Sequence, residues 1–183
     1  MEYVYHGSPI RGLKTIEKRK STHQKEWVYA TRNKAVAAIF MGHGSDLNYY
    51  LAGNGVERPL ILVERKPGMF KEIFNTSGSL YYLDASHFIP NQTGWSAEVI
   101  SDSNEEVVKE EYIDNVYDKL IEYSNNNELQ LYLYPNRPEN IPLDNSDLIP
   151  EIKSWEESGF DIHMFFKLYP ELEEQYYSYN KTK

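Results

Sequence analysis

The chain has 183 residues, a formal net charge of −9 and no cysteine, which predicts one folded domain with a buried core and excludes disulfides, thiolate metal sites and cysteine nucleophiles. A hydrophobic content of 40% with sixteen tyrosines excludes a disordered chain. No apolar run approaches the roughly 18 residues that span a membrane, and the first residues read as a charged strand rather than a signal segment, so the expected location is cytoplasmic with no membrane partner.

Charge divides unevenly along the chain. Residues 1–96 carry twelve Lys/Arg against eight Asp/Glu, a net of +4, whereas residues 97–183 carry seven against twenty, a net of −13. The basic part suits a phosphorylated ligand and the acidic part repels one. Nucleic-acid binding by the whole surface is disfavoured, because it depends on clustered cations that release counterions.

In chain order, Tyr3-Val4-Tyr5 reads as a short strand that ends in His6-Gly7-Ser8-Pro9, where Gly allows close backbone approach and Pro cannot continue a sheet interior. Ile10 to Ile16 is irregular or strand-like. The basic stretch Glu17 to His23 reads as an exposed loop, either a phosphate-attracting lip or a solubilising surface. Trp27 to Thr31 is a second strand. Lys34 to Met41 is Ala-rich and spaced for a helix, capped by Thr31 or Asn33 and stopped at Gly42-His43-Gly44. Gly53-Asn54-Gly55 reads as a turn, since neither glycine pair has phosphate-loop or dinucleotide spacing. Leu60 to Glu64, the most apolar run, predicts a buried central strand. Lys66-Pro67-Gly68 is a turn and Ser79 to Leu83 a strand.

Further strands are expected from Ala97-Glu98-Val99, near Val107-Val108 and over 112–116, with a short helix over 118–123. The polar run Ser124 to Asn127 is the one internal boundary. Beyond it, helices are expected near 151–158 and 161–169. There is no zinc-ligand or EF-hand spacing, and no metal site is expected. Strands that do not alternate regularly with helices predict an α+β domain with mostly antiparallel pairing.

Three pieces then stand out together: His6-Gly7-Ser8 at a strand end, Tyr29 in Val28-Tyr29-Ala30-Thr31 leading to Ala38-Ile39-Phe40, and Glu98 at the start of a later strand. In this order and context the chain resembles the ADP-ribosyltransferase superfamily, in its H-Y-E branch that includes poly(ADP-ribose) polymerases and diphtheria-type toxins. The resemblance covers residues 3–120. It implies an ADP-ribosyltransferase-like fold over 1–124, of split, mostly antiparallel sheets with short flanking helices. Residues 125–183 are left as an acidic C-terminal extension packed on the first part.

The resemblance also implies that NAD is bound as substrate and that ADP-ribose passes to an unknown protein, nucleic-acid or small-molecule acceptor with release of nicotinamide. Glu98 is then the catalytic carboxylate, Tyr29 stacks on the nicotinamide, His6 holds the adenosine-side ribose, the Gly7 backbone pairs with the carboxamide, and Phe40 adds a second wall. Gly-Ser-Pro replaces the usual Gly-Thr. Ser96 stands two residues before Glu98, where the arginine-modifying branch wants an acidic residue. No arginine flanks His6, which disfavours the RNA 2′-phosphotransferase branch of the fold.

Alternatives remain open from the residues themselves. Glu64, at the end of the strongest strand, rivals Glu98 as the acid, while Glu105, Glu106, Glu110 and Glu111 read as solvated. His23, His43, His87 and His163 read as surface or packing residues. A catalytically silent binding module on the same fold is the alternative function. An assembly surface built on Trp155, Phe160, Phe165, Phe166 and Tyr169 ranks lower, because their spacing fits the packed face of two short helices.

Overall fold

A computed structural model describes residues 2–20, 25–44 and 47–181 of the chain. The first half contains β1 (Tyr3–Ser8), β2 (Thr15–Ile16), β3 (Arg19–Lys20), β4 (Glu26–Thr31), α1 (Lys34–Ile39), β5 (Tyr49–Ala52), β6 (Ile61–Glu64), α2 (Met69–Phe74) and β7 (Gly78–Asp84). The second half contains β8 (Ile89–Pro90), β9 (Glu98–Ser101), β10 (Glu105–Glu106), β11 (Lys109–Ile113), α3 (Val116–Asn125), β12 (Gln130–Tyr132), α4 (Ile149–Glu157), α5 (His163–Leu168) and α6 (Glu171–Lys181).

Seven strands make the main sheet, in the order β11-β7-β1-β4-β9-β8 with β3 attached to β4, and β12-β6-β5 make a second sheet of three. Among the described pairings only β12 beside β6 is parallel. The architecture is therefore α+β and mostly antiparallel, with short helices. No helix of the described residues is long and apolar enough to cross a membrane.

Side-chain alternation explains how the main sheet is covered on both faces. Val4, Val28, Ala30, Leu83 and Val99 point to one side, where Ile16 and Phe88 close a core. Leu80 and Tyr82 point to the other, where α1, α2 and α3 fill the space towards the second sheet. Ala35 to Ile39 of α1 are each at most 2% exposed, so this short helix is stabilised by burial rather than by its length. Asn33, one of the two expected caps, accepts hydrogen bonds from Ala35 N and Val36 N. The helix lies directly on β1. A Cβ added to Gly7 would stand 1.8 Å from the Ala37 carbonyl oxygen, so only glycine permits that backbone approach.

Several expectations change. Leu60 to Glu64 does supply a buried strand, yet β6 is central to the smaller sheet. Helix α2 was not expected, and its reason is tertiary: Glu64 Oε1 accepts from Phe70 N at 2.9 Å, capping the helix from the preceding strand. The strand expected over 112–116 divides. Β-structure ends at Ile113, and Val116 starts α3 because Asn115 caps it by accepting from Asp118 N. In the basic stretch Arg19 and Lys20 pair with Trp27 and Glu26 rather than forming a free loop, while Ser21, Thr22 and His23 lie outside the described residues.

Of the four glutamates read as solvated, one is buried and two are half-buried and hydrogen-bonded. Glu105 is 3% exposed and accepts from Ser101 Oγ and His87 Nδ1. Glu110 accepts from Gly12 N and Ser79 Oγ, and Glu111 from Tyr82 Oη. Glu106 alone is exposed as expected. Strand placement set the other three beside donors.

Residues beyond 125 join the rest of the chain closely. β12 lies along β6. Arg65, 3% exposed in its side chain, is gripped by both oxygens of Asp147 at 3.0 and 2.8 Å, and Lys66 Nζ donates to Leu168 O. α4, α5 and α6 enclose their own core around Ile152, Phe165, Tyr169 and Tyr176, with Leu47 packed into it. Of the aromatic cluster, Phe165, Phe166 and Tyr169 are buried, whereas Phe160 is exposed beside Trp155. Helix α6 went unexpected because its glutamate- and tyrosine-rich sequence has little apolar periodicity.

Gly7→Ala is expected to lose about 3 kcal/mol or more of stability, since overpacking against a backbone carbonyl cannot be relieved by a rotamer change. Urea denaturation of the two proteins checks this.

Candidate active site

The site grows from a break in the main sheet. β1 and β4 are paired at one position, Tyr5 opposite Thr31. Continuing that register would set Gly7 opposite Tyr29. Instead, the His6 imidazole reaches across, and its Nδ1 donates to Tyr29 O at 2.8 Å, occupying a carbonyl that a continued ladder would have used. β1 keeps its full ladder on the other side, where Tyr3 to Ser8 pair with β7. The strands therefore part just beyond Tyr5, and a pocket opens between them.

That pocket has a volume of about 240 Å³ and is lined by Tyr5, His6 and Gly7 of β1, Tyr29 and Thr31 of β4, and Phe40, Trp95 and Glu98. All five residues singled out from the sequence, His6, Gly7, Tyr29, Phe40 and Glu98, thus lie around one cavity. Glu98 opens β9 directly opposite Thr31, so Tyr5, Thr31 and Glu98 form a row across three strands on one face. Tyr29, two residues from Thr31, shares that face.

Trp95, Tyr5 and Thr31 were not anticipated. Trp95 is brought in by a tight turn in which Glu98 N donates to Trp95 O at 3.1 Å. Its indole Nε1 donates to Gly53 O at 3.2 Å, and its ring stands 6.0 Å from that of Phe40, edge to face. The available signal was the position of Trp95 between Gly94 and Ser96, just ahead of the acidic residue.

Asn54, 2% exposed, holds this wall from behind. Its Oδ1 accepts from Val56 N, Glu57 N and Arg58 N and its Nδ2 donates to Ser96 Oγ. Next to it, Asn33, the α1 cap, donates to Gly55 O. Gly53-Asn54-Gly55 is thus a turn, as expected, that ties the helix start to the turn before Glu98.

Glu64 is not part of the pocket. Both of its oxygens are engaged, Oε1 by Phe70 N and Oε2 by Tyr134 N, each at 2.9 Å. Its carboxylate is a structural acceptor buried at the second sheet. His43 meets Thr76 Oγ1 and His163 the Phe166 ring, away from the pocket.

A second cleft, about 560 Å³, is lined by His87 and by Asp84, Asp102, Glu105 and Glu106. Its four carboxylates repel anionic ligands, and no group of three or more metal-ligating side chains is placed to hold an ion among the described residues.

The two histidines titrate in opposite directions. Burial pushes His6 below its ordinary 6.5 against the opposing pull of the Tyr29 carbonyl, and the charge of Arg19 adds to the lowering. With Nδ1 donating, the neutral ring leaves Nε2 as an acceptor. His87 is raised above 6.5 by its hydrogen bond to Glu105 and by that carboxylate's charge.

Comparison of the chain with protein-family models, with curated proteins and with solved structures gives no match.

A proton NMR titration should place the His6 midpoint below 6.5 and that of His87 above it. By linkage, the His6 contribution to stability is present above pH 6.5 and lost as pH falls towards its folded value. The His87 contribution has the reverse sign: it is present below 6.5 and lost as pH rises through its raised value. Glu105→Gln should return His87 towards 6.5.

Proposed function

We propose that this protein is an ADP-ribosyltransferase-like enzyme that binds NAD in the pocket between β1 and β4, releases nicotinamide and transfers ADP-ribose to a nucleophilic acceptor. The observation that carries the reading is the meeting of His6, Gly7, Tyr29, Phe40 and Glu98 around one cavity, from segments far apart in the chain. The parting of β1 from β4 beside these residues supports the corresponding fold.

The chemistry of the lining suits the reaction. The Tyr29 face stacks on the nicotinamide, with the Phe40–Trp95 pair as the other wall, and the Gly7 backbone pairs with the carboxamide. Nε2 of neutral His6 accepts a hydrogen bond from a ribose hydroxyl. Glu98 holds the 2′-hydroxyl of the nicotinamide ribose. When the bond between C1′ and the ring nitrogen breaks, its electron pair leaves with nicotinamide and cancels the pyridinium charge. The positive charge that develops at C1′ and the ring oxygen is stabilised by the Glu98 carboxylate. The acceptor's lone pair then forms the new bond to C1′, and its proton passes to solvent.

The expected outcome is NAD binding by calorimetry and nicotinamide release by the wild type, with Glu98→Ala slowing release at least about a hundredfold and weakening NAD binding by a smaller factor. Glu64→Ala should instead lower stability by about 3 kcal/mol, because it leaves one buried and one half-buried N–H group without their acceptor. Release that is unaffected by Glu98→Ala removes Glu98 from the mechanism. Binding without release assigns the catalytically silent alternative, and no NAD binding overturns the reading.

A further inference from the structure

At about 240 Å³ the pocket is smaller than the roughly 300–1,000 Å³ that enclose a drug-sized ligand. It has room for a nicotinamide and part of its sugar, so the rest of a dinucleotide must continue along the surface beside it. Strand register says what that surface offers. Arg19 of β3 is the cross-strand partner of Trp27, and directly paired residues project from the same face. Alternation along β4 puts Trp27 on the face of Tyr29 and Thr31, and the Trp27 and Tyr29 rings meet with centroids 6.1 Å apart. Lys25, just ahead of β4, places its Nζ 5.0 Å from the centre of the Trp27 ring.

Two cations therefore flank an indole on the pocket-bearing face. The Arg19 position lies about 7 Å along the strand from Tyr29, two residues at the usual rise, and Lys25, four residues away, reaches back over the Trp27 ring. Arg19 is exposed, and neither it nor Lys25 forms an ion pair with a described residue. Elsewhere Arg65 is matched by Asp147, and Lys34 and Lys119 by Glu111. Lys20 provides an internal contrast. It pairs with Glu26, on the opposite face of the ladder.

We propose that Arg19 and Lys25, flanking Trp27, form a phosphate subsite that holds the diphosphate bridge of the dinucleotide where it leaves the pocket. The assignment rests on the NAD reading above and adds to it a determinant of specificity: the site selects a pyridine dinucleotide over the corresponding nucleoside. The guanidinium offers a paired donor fork to phosphate oxygens, while Lys25 acts as a point charge. The same Arg19 charge contributes to keeping His6 neutral, which suits a ring that accepts a ribose hydroxyl next to the phosphates.

The test compares NAD with nicotinamide riboside, which lacks the diphosphate and the adenosine. Both are titrated by calorimetry into the wild type, Arg19→Glu, Arg19→Glu/Lys25→Glu and Lys20→Glu at about 0.15 M salt, where the screening length is about 8 Å. Arg19→Glu is expected to weaken NAD at least about tenfold, the double variant further, and riboside affinity should change by less than about twofold. Lys20→Glu alters net charge by the same amount on the wrong face, and should leave NAD within about twofold of wild type. Thermal melts of these exposed-site variants report on folding.

Wild-type-like NAD affinity in the double variant overturns the subsite and leaves the NAD reading standing. So does an equal loss with Lys20→Glu, which would reduce the effect to net charge, or an equal loss of riboside affinity. A wild type that binds neither ligand overturns both.

Discussion

The hydrogen bond from His6 Nδ1 to Tyr29 O is the constraint on which the rest of the site depends. Two adjacent antiparallel strands ordinarily zip along their length, because each unpaired buried carbonyl or N–H costs free energy. Here a side chain occupies the Tyr29 carbonyl, so β4 can leave β1 after Tyr5 and Thr31 without stranding that acceptor. The opening this makes is the pocket. The bond also fixes the imidazole tautomer, so one interaction sets both the shape of the cavity and the acceptor that His6 offers.

A sheet parted in this way needs support on both sides, and packing supplies it. Gly7 lets α1 rest on β1 at backbone distance, and the alanines of α1 place the helix end, and with it Phe40, at the pocket rim. The loop around Asn54 then links the α1 cap to the turn that carries Trp95 and Glu98. The side chains lining the pocket are thus held by elements that are themselves buried. Farther out, the Glu64 carboxylate and the Arg65–Asp147 pair anchor the second sheet and the C-terminal helices. Such buried ionic groups are retained where partial removal would leave an unmatched charge.

Glu64 and Glu98 show how alike two residues look before folding. Each is a glutamate next to aliphatic strand residues, Leu62-Val63 in one case and Val99-Ile100 in the other. One end of β6 faces backbone donors at the start of α2 and before Pro135, so Glu64 is consumed by structure. The start of β9 faces the opening between β1 and β4, so Glu98 lines the cavity. Glu105 makes the same point from the other direction: within a charged stretch it looked solvated, and the β10–β2 pairing buried it against Ser101 and His87. Helix α2 was illegible for a related reason, because its cap comes from a side chain on another element.

What the amino-acid sequence determined by itself was local and ordinal. Strand segments such as Tyr3 to Tyr5, Trp27 to Thr31 and Ser79 to Leu83, and the helix that follows Thr31-Arg32-Asn33, follow from propensity, turn chemistry and spacing, which act over a few residues, whereas the succession of His6, Tyr29, Phe40 and Glu98 was legible only through a family resemblance. The tertiary structure decided what depends on long-range pairing: that the sheet parts at Tyr5, that Trp95 joins Phe40, that Glu64 is withdrawn, and that Arg19 shares a face with Tyr29. Register is the physical reason. A strand's neighbours and its facing side are set by partners distant in sequence, and a shift of a single residue would have turned the side chains of Tyr5, Arg19 and Glu64 to the opposite face.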